Sequence, residues 1–361
     1  MTDTSQGAAP QGALAGVRVL DLTRVLAGPL CAMMLGDMGA DIIKVEPPDR
    51  GDDTRSWGPP FAEGESAYFL TTNRNKRSMT LNMAVPAGRK VLAALIEKAD
   101  VVIDNFKLGT MAKWGFTDEW FEARAPRAVR CAITGYGTTG PKAALPGYDF
   151  VLQAESGLMS ICGQPDGPPT KYGVAIVDVC TGMLACNAIL AALNARHTTG
   201  RGQKVELSLF ETSLLMLINV ASNVLVAGKG GGRFGNGHPS LVPYTTYEAS
   251  DAMMALAIGN ETQFDRCAAV LGHPEWADDP RYATNRARVE NRDLVDGSIA
   301  KALAGDTADA WIAKLKAVGV PCGRINSVAE ALAEPQAAAR EMIETVQHPA
   351  IGELKLVGMP Y

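Results

Sequence analysis

Asp178 is the side chain best placed to do chemistry. It ends the run Lys171-Tyr-Gly-Val-Ala-Ile-Val-Asp178 and opens a long apolar pattern in which Gly182 to Leu193 carry no charge. Leu184, Ala188, Ala191 and Ala192 recur at roughly helical spacing, so the pattern predicts a buried helix with Asp178 near its N-terminus. Exposed backbone N–H groups and the helix dipole stabilise a carboxylate there. A carboxylate fixed in this way suits a nucleophile or a base, because it is held in position. The same residue type is also an ordinary N-cap, and on spacing alone capping is the commoner role.

A second candidate is Asn73-Arg-Asn-Lys-Arg77, with three cationic side chains in five positions. Such a cluster suits phosphate recognition, although a solvated basic turn has the same composition. Asn105-Phe106-Lys107 follows a short apolar run, at the end of a strand where open α/β sheets bind ligands. Gly135-Tyr-Gly-Thr-Thr-Gly-Pro141 brings backbone donors close to a ligand, but it comes late in the sheet and Pro141 blocks a helical continuation. It is not a dinucleotide fingerprint.

Other chemistries find no support. The seven Cys form no Cys-x-x-Cys pair and the four His have no paired spacing, so no metal site is expected and the thiols suit a reduced, cytoplasmic interior. A net charge of -5 without a long basic tract argues against nucleic acid. A composition 47% hydrophobic and 20% charged fits a soluble globular chain and no membrane partner. Met1 to Ala13 lacks the segments of a secretory signal and reads as a flexible lead-in.

The elements that must position these residues alternate. Val17–Leu22 predicts a strand, Leu30–Met38 a short helix after Gly28-Pro29, and Asp41–Glu46 a second strand, which together make a βαβ unit. Ala87–Lys98 predicts an amphipathic helix, Asp100–Asp104 and Ala128–Thr134 further strands, and Lys204–Phe210 a strand after the buried helix. Thr212–Ala227 predicts one more largely apolar helix, suited to crossing between domains or packing on a second subunit. After Gly228-Lys-Gly-Gly-Gly232 the character changes, with a strand at Ala255–Ile258 and helices at Glu261–Leu271, Arg292–Ala304 and Thr307–Ala317. The expected organisation is α/β: residues 14–210 form the first part of a large domain, 211–230 a helical linker, 231–320 a small domain, and 321–361 a return segment completing the large one.

Ordered motifs over nearly the whole length resemble the class III CoA-transferases of the CaiB/BaiF type, which include formyl-CoA transferase and the α-methylacyl-CoA racemases. They run from Leu20-Asp-Leu-Thr-Arg-Val-Leu-Ala-Gly-Pro29 and Gly39-Ala-Asp-Ile-Ile-Lys-Val-Glu46 through Asn73–Arg77, Gly135–Pro141, Gly147-Tyr-Asp149, Asp178 and Gly200-Arg-Gly-Gln203 to Gly235-Asn-Gly-His-Pro239. The resemblance implies a Rossmann-like sheet built from both ends of the chain, a smaller domain, and two copies interlocked like links.

For the site it implies that Asp178 is the nucleophile, attacking an acyl-CoA thioester to give an aspartyl acyl anhydride. Val25, Leu26, Ala27 and Gly28 would lie beside the thioester, with Ala27 or Gly28 N–H as oxyanion donor. Asn73, Arg74, Lys76, Arg77, Asn105 and Phe106 would contact CoA, which is a substrate; no tightly bound cofactor is implied. Gly235, Asn236, Gly237 and His238 would form a loop at the mouth of the site. Racemases of the group carry His before Asp in the Gly-His-Asp motif, and here that residue is Tyr148. A tyrosine, with an ordinary pKa of about 10, is a poor partner for abstracting an α-proton. The resemblance therefore points to a transferase, most like the branch that moves CoA from succinyl-CoA to dicarboxylic acids. Arg233, His238 or Arg324 would anchor the second carboxylate. A 2-methylacyl-CoA racemase and a non-catalytic CoA-binding homologue are the rival expectations.

Overall fold

Strand β1 (Arg18–Asp21) sends Val19 to one face of a sheet and Leu20 to the other, the period of two that an extended chain imposes. In the computed structural model, which describes residues 12–360, the same alternation recurs through the strands of a six-stranded sheet. The lead-in expected at Met1 to Ala13 lies almost wholly outside the described residues.

Helix α1 (Ala27–Asp37) follows, then β2 (Asp41–Glu46), β3 (Lys76–Thr80), α2 (Pro86–Ile96) and β4 (Val101–Asp104). Helix α3 (Asp118–Arg124), β5 (Val129–Thr134), α4 (Asp149–Glu155), α5 (Ile176–Thr199) and β6 (Lys204–Ser208) complete the run. The sheet order is β3-β2-β1-β4-β5-β6 and every pair is parallel. This is the order of a doubly wound nucleotide-binding sheet, and it reverses direction between β1 and β4. Both faces are covered. Cys31 and Leu35 of α1 pack with Ala185, Cys186 and Ile189 of α5 on Val19, Val101 and Ile103. On the other face Leu92 and Ile96 of α2 and Phe121 of α3 pack on Leu20 and Val102.

The chain divides into two units. One takes in the chain up to Leu158, Lys171–Ala221 and Glu341–Tyr361; the other takes in Met159–Thr170 and Ser222–Arg340. The expected boundaries shift accordingly. Strand β6 stops at Ser208, not Phe210, because the Ser208 side chain accepts from the Glu211 amide and caps a new helix, α6 (Leu209–Leu215). The single helix expected over Thr212–Ala227 is broken: α7 (Ile218–Ala227) starts afresh after Leu217, and Ile218 takes φ 41.

The smaller unit has its own core. Strands β7 (Tyr244–Glu248) and β8 (Met253–Ala257) form an antiparallel pair, with helices α8 (Glu261–Val270), α9 (Asn285–Glu290), α10 (Arg292–Leu303) and α11 (Ala308–Ala317) around it. Met254, Leu256, Phe264, Val295 and Leu315 fill the interior. Residues 321–340 belong here and not to a return segment, because β9 (Cys322–Arg324) pairs with β8 at Cys322↔Leu256. The sheet of the large unit is likewise not built from both chain ends. Its six strands all come from residues 18–208, and the C-terminal strands β10 (Ile343–His348) and β11 (Gly352–Val357) pair with each other as a separate hairpin of the same unit.

Candidate active site

Asp178 is the third residue of α5. The residue in the cap position, Ala175, has no side chain to offer, and Asp149 supplies the cap from α4. Its Oδ1 accepts from the amides of Val177 at 2.7 Å and Asp178 at 3.2 Å. The other oxygen, Oδ2, accepts from Gln153 Nε2 at 2.5 Å, and Gln153 Oε1 accepts from the Tyr172 amide at 2.8 Å. Capping is therefore the work of Asp149, and the Asp178 carboxylate is left for another use. Among the described residues no hydrogen bond reaches it.

That carboxylate lines a cavity of about 220 Å³ shared with Arg24, Leu26, Ala27, Asn105, Phe106 and Tyr148. These residues stand beyond the C-terminal ends of β1 and β4, at the point where the sheet order reverses and ligands of such sheets bind. Packing explains why Asp178 meets the start of α1. Gly182 lies one turn further along α5, and a Cβ there would come within 2.6 Å of the Ala27 carbonyl oxygen. Gly28 is similarly obligatory, since a Cβ on it would sit 2.4 Å from the Thr23 side chain. Leu26, in the cap position of α1, provides no side-chain acceptor, so the first N–H groups of that helix are free to meet a developing negative charge. Asn105 joins the two sides: its Oδ1 accepts from the Arg24 amide at 3.1 Å and its Nδ2 donates to the Arg24 carbonyl at 2.8 Å.

Burial, and then the Asp149 carboxylate, raises the Asp178 pKa to about 7. Near neutrality the group is poised between a base or nucleophile and its protonated form. Tyr68 belongs to the same neighbourhood: its phenol is pushed up by burial and then by the charges of Asp178 and Asp149, and its ring meets Trp57 edge-on at 5.1 Å. Sequence reading passed over Tyr68 and gave Asp149 no role. Asp149 stood in a quoted motif, but nothing local signals a cap reaching across the chain to residues 177 and 178.

The remaining expected site residues separate. Asn105, Phe106 and Val25 to Ala27 line the Asp178 cavity, and Gly28 follows in the first turn of α1. The cations of Asn73–Arg77 are each paired within the chain, Arg74 and Lys76 with buried side chains and Arg77 at the surface. Arg74 pairs with Asp37 through Nε at 2.9 Å and Nη2 at 2.7 Å and donates to the Val357 carbonyl at 3.0 Å. Lys76 Nζ donates to Asp21 at 3.0 Å, to Asn73 Oδ1 at 2.9 Å and to the Pro29 carbonyl at 2.8 Å. Burial lowers Lys76 to about 8 against the pull of Asp21. Arg77 holds Asp41 with both oxygens at 2.8 Å. Asn73, Arg74 and Lys76 border a different cavity, of about 440 Å³, beside the C-terminal hairpin.

In the smaller unit Arg233 donates to the carbonyls of Gln164, Pro165 and Gly167, and Arg324 pairs with Asp309 at 3.1 Å. Both guanidinium groups are thus committed within that unit. The 235–238 loop is tied to its surroundings: the Gly235 amide donates to the Gly163 carbonyl, Asn236 to Thr246, and the His238 ring packs on Tyr244 at 5.3 Å. Among the described residues no group of His, Cys, Asp and Glu has the arrangement of a metal site.

Residues 14–361 match the model of CoA-transferase family III. A succinate–glutarate CoA-transferase of Agrobacterium fabrum is 43% identical, over 94% of this chain and 86% of its own. The succinyl-CoA:glutarate CoA-transferase of Mus musculus is 41% identical, over 96% of this chain and 79% of its own. A solved CaiB/BaiF family protein from Brucella suis superposes with a TM-score of 0.85 at 42% identity, covering 98% of this chain and 93% of that one. With a match spanning almost every residue and a doubly wound sheet that presents an unbonded aspartate to its switch point, the chain belongs to CoA-transferase family III.

Proposed function

We propose that this chain transfers CoA from an acyl-CoA donor, succinyl-CoA foremost, to a dicarboxylic acid of the glutarate class, through an aspartyl acyl anhydride on Asp178. The observation that carries the reading is the unbonded Asp178 carboxylate, set against the uncapped start of α1 in the cavity at the end of β1 and β4. An Asp178 oxygen attacks the thioester carbonyl carbon, and the N–H groups of Ala27 and Gly28 receive the oxyanion. The C–S bond breaks and CoA leaves as thiolate. The acceptor carboxylate attacks the aspartyl carbonyl of the anhydride and expels the donor acid. Thiolate then attacks the acceptor carbonyl and releases Asp178. No net proton or electron is transferred.

Asn105 and Phe106 border this cavity and are the proposed contacts of the pantetheine arm. The dicarboxylate branch rests on the two glutarate-transferring relatives. A second copy of the chain is the proposed partner, interlocked with the first. Support comes from α7, which buries no residue, with Leu225 84% and Val226 87% exposed. A cytoplasmic location is proposed with it. Helix α5 is long and apolar enough to cross a bilayer, but Val177, Thr181, Ala185 and Ile189 are buried against protein, as in a core helix.

The test is a donor and acceptor matrix read by mass, with Asp178→Asn beside wild type. Transfer from succinyl-CoA to dicarboxylates, a hydroxylamine-sensitive acyl adduct on the wild type, and neither in Asp178→Asn is the expected result. Turnover surviving in Asp178→Asn ends the reading. A silent matrix with solvent deuterium entering the α position of a branched acyl-CoA favours the racemase.

A further inference from the structure

Three of the five residues between β1 and α1, namely Thr23, Arg24 and Val25, have their backbone held by side chains. Asp21 Oδ1 accepts from the Thr23 amide at 3.0 Å, and Lys44 Nζ donates to the Thr23 carbonyl at 2.9 Å. Asn105 takes both polar groups of Arg24. Asp52 Oδ1 accepts from the Val25 amide at 3.3 Å, and also from the amide and hydroxyl of Thr54 at 3.0 and 2.8 Å. Its other oxygen meets Lys44 Nζ at 2.9 Å.

Asp52 and Lys44 are each 1% exposed. A buried ion pair adds little net stability over apolar side chains of the same shape, so stability does not explain this one. The pair does fix an unusual turn. Val25 has φ 75, in the left-handed region that a β-branched residue avoids. The turn delivers the chain into α1, whose opening N–H groups border the Asp178 cavity. Lys76 grips the same turn of helix from below through the Pro29 carbonyl.

We infer that the Lys44–Asp52 pair is a positioning device for the attack on the thioester: it holds Val25 in its left-handed turn, so that the N–H groups opening α1 stand where the oxyanion forms opposite Asp178. This rests on the acyl-anhydride reading above. Neither side chain borders the Asp178 cavity, so both act through the loop.

The experiment mixes full-length protein rapidly with succinyl-CoA and follows release of the CoA thiol in the first turnover. Wild type, Asp52→Asn, Lys44→Met, the double variant and Thr54→Val are compared. A misplaced oxyanion donor slows chemistry without weakening binding, so Asp52→Asn and Lys44→Met are expected to lower the first-turnover rate by about 10²-fold. Thr54→Val, which withdraws one hydroxyl from Asp52 and keeps the charges, is expected to lower it by about 10-fold. The amplitude per active site stays at the wild-type level, and the affinity for free CoA changes by less than about threefold. In the double variant the side-chain amide that replaces the Asp52 carboxylate no longer faces an ammonium group, and the rate recovers in part. Unchanged rates overturn the inference. So does loss confined to amplitude, or all variants unfolding together, because either makes the pair structural only. A wild type that forms no acyl adduct instead overturns the parent reading, which keeps the two failures distinct.

Discussion

Replacing Asp178 by Asn is expected to stabilise the protein while abolishing its activity. The carboxylate is held out of water and beside Asp149, and its pKa rises from 3.8 to about 7. In the unfolded chain the same group ionises near its ordinary value. A raised folded pKa means that the folded state holds a proton the unfolded state has lost, so stability falls as pH rises between the two values. Below about pH 3.8 the group contributes no penalty, and above about pH 7 the penalty is complete. Three pKa units correspond to roughly 4 kcal/mol, and solvent entering through the open cavity reduces this to on the order of 2 kcal/mol. For a unit of this size that is a rise in Tm of about 4–8 °C. Thermal unfolding of wild type and Asp178→Asn at pH 5 and pH 8.5 is the assay. The variant should gain more at pH 8.5 than at pH 5, because only there does the wild type carry the full cost of a buried charge. A variant no more stable than wild type at pH 8.5, or a gap that narrows as pH rises, would refute the reasoning about burial and Asp149.

The activity should show the complementary profile: with Asp178 required as the anion, kcat/KM rises through about pH 7. Asp149→Asn keeps an oxygen for the amides of Val177 and Asp178 but removes the like charge, so this acid limb should move to lower pH; a limb that stays in place would discount Asp149. Gly182→Ala drives a Cβ into the Ala27 carbonyl at 2.6 Å, and denaturant titration should show a loss of about 1–3 kcal/mol together with lost activity. Arg74→Ala breaks the pair with Asp37 and the bond to Val357, so Tm should fall while the KM for acyl-CoA moves by less than about threefold. A tenfold rise in that KM would instead support Arg74 as a CoA contact. Asn105→Ala frees both polar groups of Arg24, and kcat should drop by about 10-fold or more in steady-state assays.

The amino-acid sequence by itself determined what rests on local pattern. An uncharged, helically spaced run places α5 and puts Asp178 at its start, and short β-rich runs ending in Glu46, Asp104 and Thr134 place three strands with their C-terminal ends, while the run ending in Leu22 places the first to within one residue. The motif set fixed the family over nearly the whole chain. Only the tertiary structure decided which carboxylate caps α5, because Asp149 reaches Val177 across 28 positions and no spacing rule spans that interval. It also decided that three cations read together in Asn73–Arg77 answer three separate aspartates, 37, 21 and 41, each brought up by a different element. The same holds for Cys322–Arg324, whose place beside β8 depends on an unpaired strand edge in the smaller unit. Local sequence sets the backbone's period and the ends of its elements, whereas partners distant in the chain are chosen by which faces the fold buries together.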